Sequence, residues 1–359
     1  MFRGALVSST AEPESLRAWV AQRDSAGDFS GVVLVVSGAR PLFERAVGLA
    51  DRTSQVANTT DTRFNLGSIN KTFTAVGVAQ LVEAGRVDFE ASIGTYLPDY
   101  PNRDALRTIT LHHLLTHAAG LPPYMSPRYI HERDRIRTLD DLMRVFASEP
   151  LQFEPGSRQE YSNSGYVVLG CIIEQVSGTP YETYMKTHIY DPAGMSRTGF
   201  EPVGAKGTAT GYMAVGPDGR PVMSRGPAPT SVGFVHLKEN TAMLDRGNPA
   251  GGGYSTAPDL VAFANALRDG KLLGRAMTDD LVNGTFSGVQ RPKHGYALRE
   301  QVVGGRRFVG NGGGAPGINA EFRFEPAGDV SVVVLSNFGP PSATAVLEHV
   351  LGVLDSLGA

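Results

Sequence analysis

Two β-branched runs at opposite ends of this 359-residue chain constrain its fold more than anything between them. The first lies in "FSGVVLVVSGARPLFERAVGLAD", where Val32, Val33, Leu34, Val35 and Val36 read as a strand and "SGAR" turns the chain into a second one. The other, "DVSVVVLSNF", closes a strand-like series that includes "HGYALREQVV", "RRFVGNG" and "INAEFRFEP". Strands at both ends with helical texture between them imply one sheet drawn from both termini, with a mostly helical region inserted into it. The expected division is 1–85 with 231–359 for an α/β sheet domain and 86–230 for a helical domain.

The helical segments carry their own marks. "AEPESLRAWVAQRD" has helical spacing through Leu16 and Val20, with Pro13 near its start. "TLHHLLTHAAG", "TLDDLMRVFASEP" and "SGYVVLGCIIEQVSGTPYETYMKTHIY" read as helices joined by Pro/Gly turns, with Asp140 and Asp141 at a solvated helix start. In "GGGYSTAPDLVAFANAL", Ser255 or Thr256 caps a helix, Pro258 fits its first turn and Asp259 complements its dipole. "SATAVLEHVLGVLDSLG" closes the chain as a helix, and residues 202–235, rich in Gly and Pro, read as an ordered loop or short ribbon.

Hydrophobic residues make up 41% and charged residues 19%, a balance that supports a packed core and argues against disorder. A formal net charge of -3 without a basic run argues against a nucleic-acid or anionic-membrane partner. No apolar stretch reaches the ~18–20 residues of a membrane span. The first residues have no apolar core of the signal-peptide type, which favours the cytoplasm; a leader removed before Met1 would place the protein in the periplasm or outside the cell. Cys171 is the one cysteine, so no intrachain disulfide forms, and its apolar surroundings read as those of a small buried hydrophobe.

Chemistry concentrates in three places. In "FNLGSINKTFTAVGVAQLVEAG", Ser68 and Lys71 stand three apart, on one face of a helix that is otherwise almost unbroken apolar surface. Serine needs a neighbouring base to act as a nucleophile. Burial and the positive helix end disfavour a protonated Lys71, which makes its amine such a base, and the Ser68 N–H is available to a developing oxyanion. Alone, a Ser-x-x-Lys spacing is common by chance and reads equally as a cap beside a solvated lysine. The second place is "QFEPGSRQEYSNSGYVVLG", which puts Tyr161 and Asn163 on a loop before a helix. A tyrosine beside a cationic lysine has its pKa lowered and can pass protons, and an asparagine can orient Lys71 or an amide substrate. The third is "FVGNGGGAPGINAEFRF", where Asn311, Gly313 and Gly314 end a strand-like run. Glycines there let backbone approach a ligand closely, and the Gly314 N–H is the candidate second oxyanion donor.

His113 and His117 are four apart, but Leu114 stands where the metalloprotease pattern has Glu, so no metal site is expected. His112, His113 and His117 read instead as holding a helix end and the "AAGLP" turn.

Taken together, these segments resemble the penicillin-recognising serine hydrolases, specifically the class C β-lactamase and DD-peptidase-like group with its family VIII-type esterases. "FNLGSINKTFTA" is similar to the Ser-x-x-Lys helix of that family, "YSN" to its Tyr-x-Asn element, "LLTHAAGLP" to its Leu-Leu-Thr-His-x-x-Gly-Leu stretch and "AGGGYSTAPDL" to its Gly-Gly-x-x-Ser-Thr helix entry. The resemblance implies a β-lactamase/transpeptidase-like α/β fold of the α+β type: an antiparallel sheet flanked by helices, an inserted mostly helical domain, and an active site between the two. It implies Ser68 as the acylated nucleophile, Lys71 and Tyr161 sharing proton transfer, and Asn163, Asn311, Gly313 and Gly314 as substrate or oxyanion contacts. It implies no cofactor and a small ester, lactam or peptide substrate, and it leaves the oligomeric state open.

One position departs from the pattern. The third family element usually begins with Lys or His, and Asn311 occupies that place without a charge. Charge-assisted bonds are roughly twice as strong as neutral ones, so weaker recognition of carboxylate-bearing substrates follows. The expectation is therefore an esterase first, with β-lactamase or D-aminopeptidase/DD-carboxypeptidase, acyltransferase and a non-turnover penicillin-binding sensor as alternatives.

Overall fold

The two β-branched runs lie side by side. In the computed structural model, which describes residues 11–216, 220, 236–240, 246–283 and 296–356, β1 (Gly31–Ser37) and β2 (Arg40–Val47) form the expected hairpin. The C-terminal series forms β3 (Arg299–Val303), β4 (Arg306–Ala315), β5 (Ile318–Phe324) and β6 (Val330–Ser336). All six join one antiparallel sheet in the order β2-β1-β6-β5-β4-β3, with Val33 of β1 opposite Val334 of β6.

Both faces of the sheet are covered, which is why its central strands are apolar at successive positions instead of alternating. Helices α1 (Ala11–Ser25), α2 (Asn70–Glu83), α5 (Ala257–Arg268) and α6 (Ser342–Ser356) supply the cover, and α3 (Leu111–Leu115) and α4 (Asn163–Ser177) pack with each other, α4 also against α2. On one face Val33, Val35, Val332 and Val334 pack with Leu16 and Val20 of α1 and Val346 and Val350 of α6. On the other, Val32, Leu34, Phe322 and Val333 share a core with Phe73 of α2 and Phe263 of α5, and this core continues into the helices that follow α2 in sequence.

Several local expectations are refined. Thr256, not Ser255, caps α5 by accepting the Asp259 N–H at 3.2 Å, because Ser255 is held in a short strand pairing with Phe64 and Asn65. Asp141 is more than a solvated residue: it and Thr138 cap each other's backbone at the start of Leu139–Arg144. The long apolar run from Asn163 is broken at Gly178, whose φ of 72° a side chain would resist, and helix resumes at Tyr181–Met185. The segment read as a strand from His294 begins only at Arg299; Tyr296–Leu298 bend, with Ala297 at a φ of 55°, and His294 and Gly295 lie outside the described residues. A ribbon of Tyr212–Val215 with His236–Glu239 occupies part of the Gly/Pro-rich stretch, of which 217–219 and 221–235 lie outside the described residues. Among the described residues, no helix is long and apolar enough to cross a membrane.

Phe322 anchors the second face: it has no exposed surface, lies 5.4 Å from the Phe324 ring and 6.2 Å from that of Phe263. Phe322→Ala is expected to cost about 3–5 kcal/mol. Urea unfolding should show a lower midpoint with an unchanged m-value.

Candidate active site

Ser68 is placed by a turn, not by the helix itself. The Phe64–Asn65 strand ends in Gly67, which has a φ of 49° and donates its N–H to Asn65 Oδ1 at 2.9 Å. A 3-10 turn over Gly67–Ile69 then runs straight into α2. Nearly every residue of α2 is buried, including Lys71 at 1% exposure, and its amine turns back toward the helix start.

The Lys71 Nζ lies 3.1 Å from Ser68 Oγ and 2.8 Å from Asn163 Oδ1, and it also bonds the Ala250 carbonyl. Burial pushes the Lys71 pKa well below 10.5, and the positive Arg299 adds to the push. A neutral amine has two N–H donors and one lone pair. Ser68 Oγ, Asn163 Oδ1 and the Ala250 carbonyl all lie in reach of this nitrogen as acceptors; were the amine deprotonated, with Asn163 and Ala250 taking its two N–H donors, its lone pair would be left for the Ser68 hydroxyl proton. Asn163 arrives as the first residue of α4, whose cap, Ser162, accepts the Gly165 N–H at 3.2 Å.

Tyr161 approaches Ser68 from the other side, with its Oη 2.5 Å from Ser68 Oγ. Its ring centroid is 4.8 Å from Lys71 Nζ. The expected lowering of its pKa is overturned: burial raises it above 10.0, against the opposing effects of the Ser68 hydrogen bond and Arg299. The physical reason is desolvation, which disfavours the phenolate more than the Ser68 hydrogen bond and the Arg299 charge favour it. Half of the Tyr161 side chain, 51%, remains open to solvent, which screens the shift.

Strand β4 closes the site. Asn311 Nδ2 donates to Ser68 O at 3.2 Å and lies 3.4 Å from Thr72 Oγ1, while its Oδ1 accepts the Gly312 N–H at 2.9 Å. Both ends of this amide are thus engaged inside the protein, and Asn311 is 6% exposed. Gly313 is required by contact: a Cβ there would stand 2.0 Å from Leu66 O and 2.8 Å from Ser68 N. A Cβ on Gly67 would in turn stand 3.1 Å from Gly314 N, so the Ser68 and Gly314 nitrogens both adjoin Gly313.

A cavity of about 270 Å³ opens beside this cluster, lined by Lys71, His117, Tyr161, Arg299 and Asn311 among others. A second hollow of about 130 Å³ lies on the far side of Tyr161, against Leu121, Tyr124, Phe153 and Asn163. The structure brings all seven residues singled out in the sequence to one place. Three contributors escape a sequence reading: Ala250 acts through its backbone, Arg299 sits in an ordinary strand-like run, and buried Arg323 donates to Asn311 O at 3.0 Å while pairing with Glu321 at 3.1 Å. His113 does hold a helix end, its Nδ1 accepting the Thr110 N–H at 3.2 Å, whereas His112 Nδ1 lies 2.7 Å from Tyr296 Oη and ties the helix to a distant segment.

The family described as Beta-lactamase matches residues 16–354. The chain is 31% identical over 311 residues to the "Putative penicillin-binding protein PbpX" of Bacillus subtilis (strain 168), covering 86% of this chain and 71% of that one. It is 31% identical over 257 residues to esterase EstB of Burkholderia gladioli, covering 66% and 65%. A solved structure of a penicillin-binding protein from Bacillus halodurans superposes with a TM-score of 0.76 at 28% identity, over 94% of this chain and 98% of that one.

The Lys71 environment has a consequence for stability. Between its depressed native pKa and 10.5, the unfolded chain binds a proton that the native state does not, so stability rises with pH across that window. Relative to Lys71→Met, which lacks this titration, the wild type should gain stability as the pH is raised toward 10.5, read from denaturant midpoints.

Proposed function

We propose that this chain, which belongs to the β-lactamase family of serine hydrolases and has its β-lactamase/transpeptidase-like fold, is a carboxylesterase working through an acyl group on Ser68. The observation that carries the chemistry is the buried Lys71 amine, its pKa depressed by burial, 3.1 Å from Ser68 Oγ and held by Asn163 and the Ala250 carbonyl. In this reading the Ser68 proton moves to Lys71 Nζ as Oγ attacks the carbonyl carbon. The Ser68 and Gly314 N–H groups hold the oxyanion. Tyr161, protonated and 2.5 Å from Oγ, gives its proton to the departing alkoxide and is reprotonated from Lys71. Water then attacks the acyl carbonyl, returns a proton through the same groups and frees Ser68. Asn163 orients the lysine.

Preference for esters rests on Asn311. Its amide carries no charge and is engaged with Ser68 O, Thr72 and Gly312, so it offers a carboxylate little. Ser68→Ala should lower kcat by roughly 10³-fold or more on a short-chain aryl ester. Intact-protein mass and turnover are followed in parallel with that ester, a cephalosporin and a D-Ala-D-Ala peptide. Rapid Ser68-dependent ester turnover with little reaction of the other two supports the esterase. A stable adduct without turnover points to a sensor, and product diverted to an added alcohol points to acyl transfer.

A second reading rests on Arg299, an exposed cation in the same cavity. A carboxylate on a lactam or D-Ala-terminated peptide would meet this guanidinium in place of a charged residue at 311. If that contact operates, Arg299→Gln raises KM for the cephalosporin or peptide about tenfold and leaves KM for the neutral ester unchanged, in steady-state assays.

A further inference from the structure

Helix α3 ends in a way that most helices reserve for glycine. The His117 N–H donates to Leu114 O at 3.3 Å and the Ala118 N–H to His113 O at 2.8 Å, the paired closing bonds of a left-handed helix end. The residue between them, His117, has a φ of 60°. Glycine adopts this conformation freely and a histidine does so at a cost, so the side chain is retained for something it does.

What it touches lies on both sides of Tyr161. The His117 carbonyl accepts the Glu160 N–H at 2.9 Å, and His117 Nδ1 accepts the Ser162 N–H at 3.1 Å. The imidazole lies 4.6 Å from the Tyr161 ring, at 39° to it, and 5.3 Å from the Tyr166 ring. The residues before and after Tyr161 are thus hydrogen-bonded to one histidine, and the tyrosine ring lies against that histidine's ring at a tilt. Tyr161 itself is half exposed.

We propose that His117 is a positioning residue for proton transfer: it clamps the Glu160–Ser162 segment so that the Tyr161 hydroxyl stays against Ser68 Oγ. The proposal rests on the reading of Ser68 as the acylated residue and Tyr161 as its proton partner. It adds a role for a histidine that the sequence places only at a helix end.

The test is a double-mutant cycle on the full chain with an aryl ester, with rates referred to active sites titrated by a serine-directed fluorophosphonate. His117→Gly accepts the backbone conformation and removes both the acceptor and the ring. It should lower kcat per site roughly ten- to a hundredfold with little change in KM, since displacement of a catalytic group by about 1 Å costs on the order of 10². In a Tyr161→Phe background the same substitution should cost nothing further. His117→Asn, which tolerates the left-handed region and offers an amide oxygen to the Ser162 N–H, should recover most of the lost rate. Two outcomes overturn the proposal: kcat per site within twofold of wild type in His117→Gly, or an equal loss with and without the Tyr161 hydroxyl, which would make His117 a purely structural residue. Full activity in Ser68→Ala would instead defeat the underlying reading of the site.

Discussion

A lysine amine with almost no access to water sets the terms for the rest of the molecule. The hydrogen-bond partners of Lys71 are a hydroxyl, an amide and a carbonyl, all uncharged. An ammonium there loses its hydration and gains only neutral partners, so burial depresses the Lys71 pKa well below its usual value. Each partner comes from a different part of the chain, and each must arrive by its own route: Ser68 by the turn before α2, Asn163 by the start of α4, Ala250 by the loop before α5. The burial of α2 against the sheet and the neighbouring helices makes the arrangement possible, because a lysine on a surface helix would stay charged.

The second constraint is one of distance. The turn that carries Ser68 presses so closely on β4 that no Cβ fits at Gly313. Behind the strand, the buried Glu321–Arg323 pair reaches the Asn311 carbonyl, and Thr344 of α6 donates to Glu321 at 2.8 Å. A Cβ at Gly312 would stand 2.7 Å from the Glu321 carboxylate. Gly313 is therefore demanded by the backbone of the Ser68 turn, while a side chain at Gly312 would have to displace the Glu321 carboxylate. An ion pair this buried adds little net stability but is costly to break on one side, which suits a part meant to hold one position.

Much of this was legible beforehand. The strand runs, the capped start of α5 and the closing helix follow from local periodicity, and the Ser-x-x-Lys, Tyr-x-Asn and Gly-rich segments converge on one cluster. The places where reading failed share a cause. The sequence places Tyr161 beside a lysine and suggests a lowered pKa, but the shift is set by the burial of Tyr161 itself, which a loop before a helix does not display. Asn311 was read for what it lacks, a charge, while its amide is engaged in tying β4 to α2. Arg299 and Ala250 carry no signal because one is an unremarked strand residue and the other acts through its backbone.

The sequence by itself determined which segments become strands and helices, and which residue types are on hand for acyl chemistry. Both follow from interactions between residues a few positions apart: alternation, helical spacing, caps, and a serine one turn from a lysine. Only the tertiary structure decided that Val33 stands against Val334, that Tyr161 and Asn163 meet the Ser68–Lys71 pair, and that a histidine at a helix end bonds the residues on both sides of a tyrosine far along the chain. Those outcomes depend on shared burial and on backbone contacts between segments that have no pattern in common, and such contacts exist only once the layers have packed.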